Sequence, residues 1–236
     1  MIKIYGKNAI YEAIRAHAPM TKLFICENIL KKDNNIVDIA TKMKLDFEIV
    51  SKDFIDKKFP GQNQGYAAYR EDYKIYGIED LDKFYRPQGR IVLLDGIQDP
   101  HNLGAILRSV DAFGYDLVVL PMNRSASVNE VVAHTSTGAI EHVSIMYVNS
   151  LNNIMDKLKK NGYWICGTDA SGDTLTENID PSLSLAIIIG SEGFGMSKTL
   201  VKQSDLLITI PMVGHVNSLN ASVSAGIVLK DLMRKN

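Results

Sequence analysis

Three stretches of the 236-residue chain combine polar side chains with glycine directly after an apolar run. Sites at strand ends are built this way. In DGIQDPHNLGAILRS (95–109), Asn102 is placed to cap a helix, and Arg108 lies four residues past Gly104. Helical side chains lean toward the N-terminus, so Arg108 can pass over the bare Gly104 toward the Asn102 loop. A guanidinium there suits a phosphate; pairing with a surface carboxylate such as Asp111 is the plainer reading. In IIIGSEGFGMS (187–197), Gly190, Gly193 and Gly195 let a backbone approach a ligand. Their spacing is not that of the dinucleotide fingerprint. Glu192 inside that loop would repel a pyrophosphate, but it would tolerate a cationic sulfonium or accept a hydrogen bond from a ribose. In ITIPMVGHVNSLNASVSAGIVLK (208–230), an apolar run stops at Pro211, which cannot donate to a strand ladder. Asn217, Ser218 and Asn220 then open a helix that is apolar or small almost all round, the pattern of a buried helix. Polar groups at the mouth of a buried helix need partners from caps, ligand or substrate.

The elements that must position these stretches alternate in type. Residues 1–76 read as a small α/β unit: helices over 6–17 and 35–44, strands over 23–26, 47–50 and 66–69, and a short helix capped by Ser51. Residues 77–88, charged, aromatic and broken by Pro87, read as a linker with one helical turn. From 89 to 236 the strands fall at 91–94, 117–120, 143–148, 163–166, 185–189 and 206–210. Helices separate them at 103–113, ended by Gly114; from a Ser127–Glu130 capping box to Gly138; and at 151–160 and 197–203. Strands alternating with helices predict a mostly parallel sheet covered on both faces, with ligands beyond the carboxyl ends of its strands.

Composition adds bounds. Hydrophobic content of 46%, charged content of 22% and a net charge of -1 describe an ordinary globular chain with no global basic field, so any nucleic-acid contact must be a local patch. Cys26 and Cys166 lie in apolar runs and read as buried thiols, and the five histidines show no metal spacing, so no metal is expected. No apolar run reaches the ~20 residues of a membrane span. The opening MIKIYGKNAIYEA lacks a signal-peptide core, so the expected location is cytoplasmic.

Taken together and in order, NLGAILR (102–108), IIIGSEGFGMS (187–197) and IPMVGHVNSLNASVSAG (210–226) resemble the three motifs of the SpoU (TrmH-type) branch of the SPOUT RNA methyltransferases. IYGKNAIYEAI and GQNQGYAAY resemble the small substrate-binding domain that precedes the catalytic domain in the RlmB-like members, except that Asn63 stands where those enzymes commonly carry His. The resemblance implies an α/β-knot domain, with a trefoil knot near the C-terminus, after a small N-terminal α/β domain. It implies S-adenosylmethionine as methyl donor, a ribose 2′-hydroxyl in RNA as acceptor, with a guanosine of 23S rRNA as the expected target, and a homodimer. Carried over position by position, Asn102, Arg108, Glu192, Ser218 and Asn220 match catalytic positions, and Gly190, Ile210, Leu219 and Thr168 match cofactor-binding ones. The alternatives are a tRNA-modifying or resistance-type relative, an RNA-binding assembly factor without catalysis, and a nicotinamide-dependent oxidoreductase.

Overall fold

The computed structural model describes residues 1–33, 35–215 and 218–234. Asn217, one of the three polar residues expected at the helix mouth, lies outside them. The chain forms two compact units, Met1–Tyr73 with Val128–His142, and Lys74–Ser127 with the described residues from Val143 on.

The first unit runs β1 (Ile2–Tyr5), α1 (Lys7–Arg15), β2 (Met20–Cys26), α2 (Glu27–Leu30), α3 (Asn35–Lys42), β3 (Phe47–Val50), α4 (Lys52–Lys58) and β4 (Tyr66–Arg70). The four strands lie in the order β1-β4-β2-β3. β4 is antiparallel to both neighbours and β2 is parallel to β3. Alternation along β2 sorts the two faces. Leu23 and Ile25 pack with Ile10, Ile14 and Ile36 of the helices, while Phe24 and Cys26 pack with Ile55 and Phe59. Ser51 caps α4 as expected, its Oγ accepting from Phe54 N at 3.3 Å.

Two polar knots hold this unit. Asn63 is buried; its Nδ2 donates to Asp56 Oδ1 (2.8 Å) and Phe59 O (3.1 Å), and its Oδ1 accepts from Gly65 N (2.8 Å). With both ends so engaged, this position shapes its loop rather than reaching outward. Asp33 Oδ2 accepts from Tyr66 (2.6 Å) and Tyr11 (2.9 Å) and pairs with Lys7 Nζ (3.1 Å). The Tyr66 hydroxyl, more than any other group, holds the Asp33 carboxyl below its ordinary value, against burial that pushes it up. A depressed carboxyl stabilises the fold above its unfolded value, and that contribution is lost as pH falls through the folded value. Asp33→Asn should therefore lower Tm at neutral pH, and the gap to the natural protein should close in acid. Melting curves at pH 7 and pH 3 check this; an equal gap at both would refute it.

The second unit begins with β5 (Ile75–Tyr76) and a 3-10 helix, Ile78–Phe84. The segment read as a linker is not free, because Leu81 and Phe84 are buried in this unit's core. β6 (Arg90–Asp95), α5 (Pro100–Ala112) and β7 (Leu117–Pro121) follow. α6 (Glu130–Thr135) then groups with the first unit, Ala133 entering that core. The second unit continues through β8 (Ile145–Val148), α7 (Leu151–Lys160), β9 (Tyr163–Thr168), β10 (Ser184–Gly190), α8 (Lys198–Gln203), β11 (Leu206–Ile208) and α9 (Ala221–Asp231). Its seven strands are ordered β11-β9-β10-β6-β7-β8-β5, and every pairing is parallel. Central β6 and β10 are continuous apolar runs because both of their faces are covered. Cys166 is buried in β9, and burial pushes its thiol up to about 12. Among the described residues no helix is long and apolar enough to cross a membrane.

Three local expectations are corrected. Asp99, not Asn102, caps α5: its carboxylate accepts from His101 N (2.9 Å) and Pro100 occupies the first turn. The helix therefore starts earlier, and Asn102 lies inside it with its side chain available elsewhere. Asn129, not Ser127, caps α6, since its Oδ1 reaches both Val131 N (3.0 Å) and Val132 N (3.1 Å). α9 starts at Ala221 and is not buried all round: Val223 and Ile227, one helical turn apart, are 50% and 39% exposed.

One buried cation ties the second unit together. Arg90 is fully buried; its Nε donates to Leu232 O (2.7 Å), just past α9, Nη1 to Leu183 O (2.6 Å) and Nη2 to Pro181 O (2.9 Å).

Candidate active site

A parallel sheet sends every strand's carboxyl end to the same edge, so the segments following β6, β9, β10 and β11 meet there. Register aligns them: Gly190 of β10 pairs with Asp95 of β6, and Ile208 of β11 with Thr168 of β9. Beyond Gly190 the chain doubles back as a small hairpin over residues 191–195. Ser191 N donates to Gly195 O (3.1 Å) and Gly195 N to Ser191 O (2.9 Å). Gly193 and Gly195 supply its left-handed residues, at φ 84° and 64°. At Gly190 a Cβ would run into the backbone of Gly195 and Met196, so no other residue fits. Asp95, at the end of β6, fixes the far side of the turn by accepting from Ser197 N at 2.7 Å.

Asn220 joins the three polar clusters. Its Oδ1 caps α9, accepting from Ser222 N (2.9 Å) and Ser222 Oγ (2.6 Å). Its Nδ2 donates to Asn102 Oδ1 on α5 (3.0 Å) and to Glu192 Oε2 on the hairpin (3.2 Å). One amide thus connects groups 118 and 28 residues away in the chain.

Beside this junction is a cavity of about 450 Å³. Glu192, Ser218, Thr168, Gly190, Ile210 and Leu219 all line it. Thr168 Oγ1 donates to Ile188 O (2.9 Å), which turns that side chain onto β10. Asn102, Asn220 and Arg108 lie outside the wall. Arg108 is exposed on α5. Its guanidinium is therefore available to a phosphate arriving from solvent.

Two contributors escape a reading of the sequence. Asp169 adds a second carboxylate to the wall, and Phe194 stands at its rim. Asp95 could have been found from its place in an Asp-Gly pair directly after a strand. Among the described residues the wall holds two carboxylates and no Lys, Arg or His. That charge fits a cationic ligand and disfavours a pyrophosphate.

A parallel sheet with a glycine hairpin, an acid and an amide junction at its carboxyl edge is a small-ligand site of the α/β class. Comparison with known proteins specifies the class. The SpoU rRNA Methylase family matches residues 89–230, and the family described as RNA 2'-O ribose methyltransferase substrate binding matches residues 3–76. A Staphylococcus aureus protein assigned to the TrmH family of tRNA/rRNA methyltransferases is 43% identical over 98% of this chain and 95% of its own length. Its counterpart in Staphylococcus saprophyticus is 42% identical over 99% and 96%. The SpoU methyltransferase AviRb from Streptomyces viridochromogenes, solved with AdoMet, superposes at a TM-score of 0.81, with 24% identity over 98% of this chain and 88% of its own. An AdoMet-bound rRNA methyltransferase from Sinorhizobium meliloti superposes at 0.79, with 19% identity over 98% and 86%. The chain belongs to the SpoU/TrmH family of RNA methyltransferases.

Proposed function

We propose that the protein transfers a methyl group from S-adenosylmethionine to a ribose 2′-hydroxyl of RNA, and that its target is a guanosine of 23S rRNA. The observation that carries the donor assignment is the cavity wall, acidic and free of cationic side chains among the described residues, joined to the Asn102–Asn220–Glu192 junction. S-adenosylmethionine, when bound, supplies a methyl group on a positively charged sulfur. Gly190, Ile210 and Leu219, which line the cavity, would hold the donor through backbone, Thr168 would close the β9 side, and Glu192 would offset its positive charge.

The acceptor side belongs to the chain's own polar groups. A ribose hydroxyl is a poor nucleophile at neutral pH, so placement and help with its proton are what the protein adds. Arg108 does not act as a base, because a guanidinium stays protonated in a protein. It grips the phosphate next to the ribose and stabilises charge developing on the 2′ oxygen, and the proton passes to that phosphate or to water. Ser218, Asn102 and Asn220 orient the ribose and fix the loops. Arg108→Lys keeps the charge but loses the two-pronged grip, so turnover should fall by roughly tenfold or more. Single-turnover kinetics measure this; wild-type turnover in the lysine variant would remove the grip from the mechanism.

The 23S target rests on the resemblance of the first unit to the domain that precedes the catalytic one in the RlmB-like members; the match of residues 3–76 to the family described as RNA 2'-O ribose methyltransferase substrate binding supports an RNA ribose as acceptor. The homodimer is supported by Val223 and Ile227, an exposed apolar pair on α9. The trefoil knot is supported by the segment after β9, which lies against β11: Thr174 bridges to Ile208, and a Cβ on Gly172 would stand 2.6 Å from Leu207 O. We place the protein in the cytoplasm, with its RNA. The test is to incubate the protein with tritiated donor and separate unmodified 23S, 16S and transfer RNA, then map the 2′-O-methyl group. Label at one guanosine ribose of 23S RNA is expected. Label in tRNA alone would make the protein a tRNA-modifying enzyme instead. Label nowhere would leave an RNA-binding protein without catalysis.

A further inference from the structure

Phe194 has no part in the chemistry above, yet it is 92% exposed on the rim of the cavity beside Glu192. Phenylalanine is normally among the most buried residues. Here it is presented by a hairpin that two backbone hydrogen bonds and two left-handed glycines keep in shape. None of the described ring pairs or cation–ring contacts includes it. Along the chain it is flanked by Gly193, Gly195 and Glu192, so no other apolar side chain of its own hairpin covers the ring. A flat π-surface in such a setting suits a stacked base, because every nucleobase has a π-face and brings polar edges that remain in water.

We propose that Phe194 is a stacking platform for a nucleobase of the RNA, the one adjoining the ribose presented to the cavity. The inference rests on the RNA-modifying reading and adds a positioning residue to it. The donor's own adenine is the other possible source of a base. The rim position favours the RNA, since a ring this exposed lies outside the enclosed part of the site.

The experiment uses the full-length protein with Phe194→Ala, Phe194→Leu and Phe194→Trp. Binding of a fluorescein-labelled single-stranded RNA oligonucleotide is followed by anisotropy, and binding of S-adenosylmethionine by calorimetry. RNA affinity should fall about five- to hundredfold in the alanine variant. The leucine variant should match it, and tryptophan should recover most of the loss. An abasic nucleotide walked along the oligonucleotide should, at one position, bring the natural protein to the level of the alanine variant and cost that variant nothing further. Donor affinity should not move. Weaker donor binding would assign the ring to the donor's adenine, and a changed sedimentation coefficient would assign it to a protein contact; either overturns the proposal. So does full affinity in the leucine variant. None of these readings requires methyl transfer. RNA binding through Phe194 without transfer would therefore sink the catalytic reading alone, whereas RNA binding indifferent to all three substitutions would sink this proposal alone.

Discussion

Asn220→Ala is expected to reduce methyl transfer by about a hundredfold or more while leaving the protein folded. The amide is the shared partner of Asn102, Glu192 and the first turn of α9, so its loss uncouples three segments that the sheet only brings near one another. Misplacement of reacting groups by about 1 Å can cost on the order of 10²-fold in rate. The loss of the cap itself costs only about 1 kcal/mol. Asn220→Asp separates the two roles. A carboxylate still caps α9, so the melting temperature should return toward that of the natural protein. It cannot donate to Asn102, and it sets a second negative charge against Glu192, so turnover should stay low. Thermal melts and single-turnover rates on both variants read the two quantities independently. An aspartate variant that regained activity along with stability would reduce Asn220 to a helix cap.

The largest expected effect on stability is Arg90→Met, at about 3–5 kcal/mol. Arg90 has no carboxylate against its guanidinium among the described hydrogen bonds; its partners are backbone carbonyls of Leu183, Pro181 and Leu232, joined by Gln88 and Gly89. Methionine fills much of the volume but leaves buried carbonyls unpaired, each at about 1–3 kcal/mol. Part of that is offset because a buried cation is itself costly, and burial already pushes this guanidinium down from its ordinary value. Since Leu232 follows α9 directly, the substitution should loosen the C-terminal helix first. Denaturant unfolding gives the total, and hydrogen exchange at α9 amides gives the location. A variant within about 1 kcal/mol of the natural protein would show that water or a neighbour satisfies those carbonyls.

How much of this could be read from the residues depends on the range of the interaction. Period and punctuation are local, so the parallel sheet, the Ser51 cap and the helix Leu151–Lys160 are legible, the last to the residue. Strand order is not, because β9 and β10 are neighbours while β10 and β6 pair across nearly half the chain. The misplaced caps share one cause: Asp99 competes with Asn102, and Asn129 with Ser127, and backbone geometry that the sequence does not display chooses between them. Two-residue β5 is too short to carry a period. The exposed face of α9 reads as core because apolar residues look alike in a sequence whether the fold buries them or leaves them exposed. The clusters around Asn102, Glu192 and Ser218 were legible as polar breaks after strands, but the amide that joins them was not. A hydrogen bond between residues 118 apart leaves no local trace.

The central claim is that the cavity beside the Asn102–Asn220–Glu192 junction accepts a cationic nucleoside donor and not a dinucleotide. Isothermal titration calorimetry of the full-length protein with S-adenosylmethionine, and separately with NAD, tests it most directly. The account predicts saturable binding of S-adenosylmethionine, weakened by Glu192→Gln, and no heat from NAD. Binding of NAD with indifference to S-adenosylmethionine would contradict it.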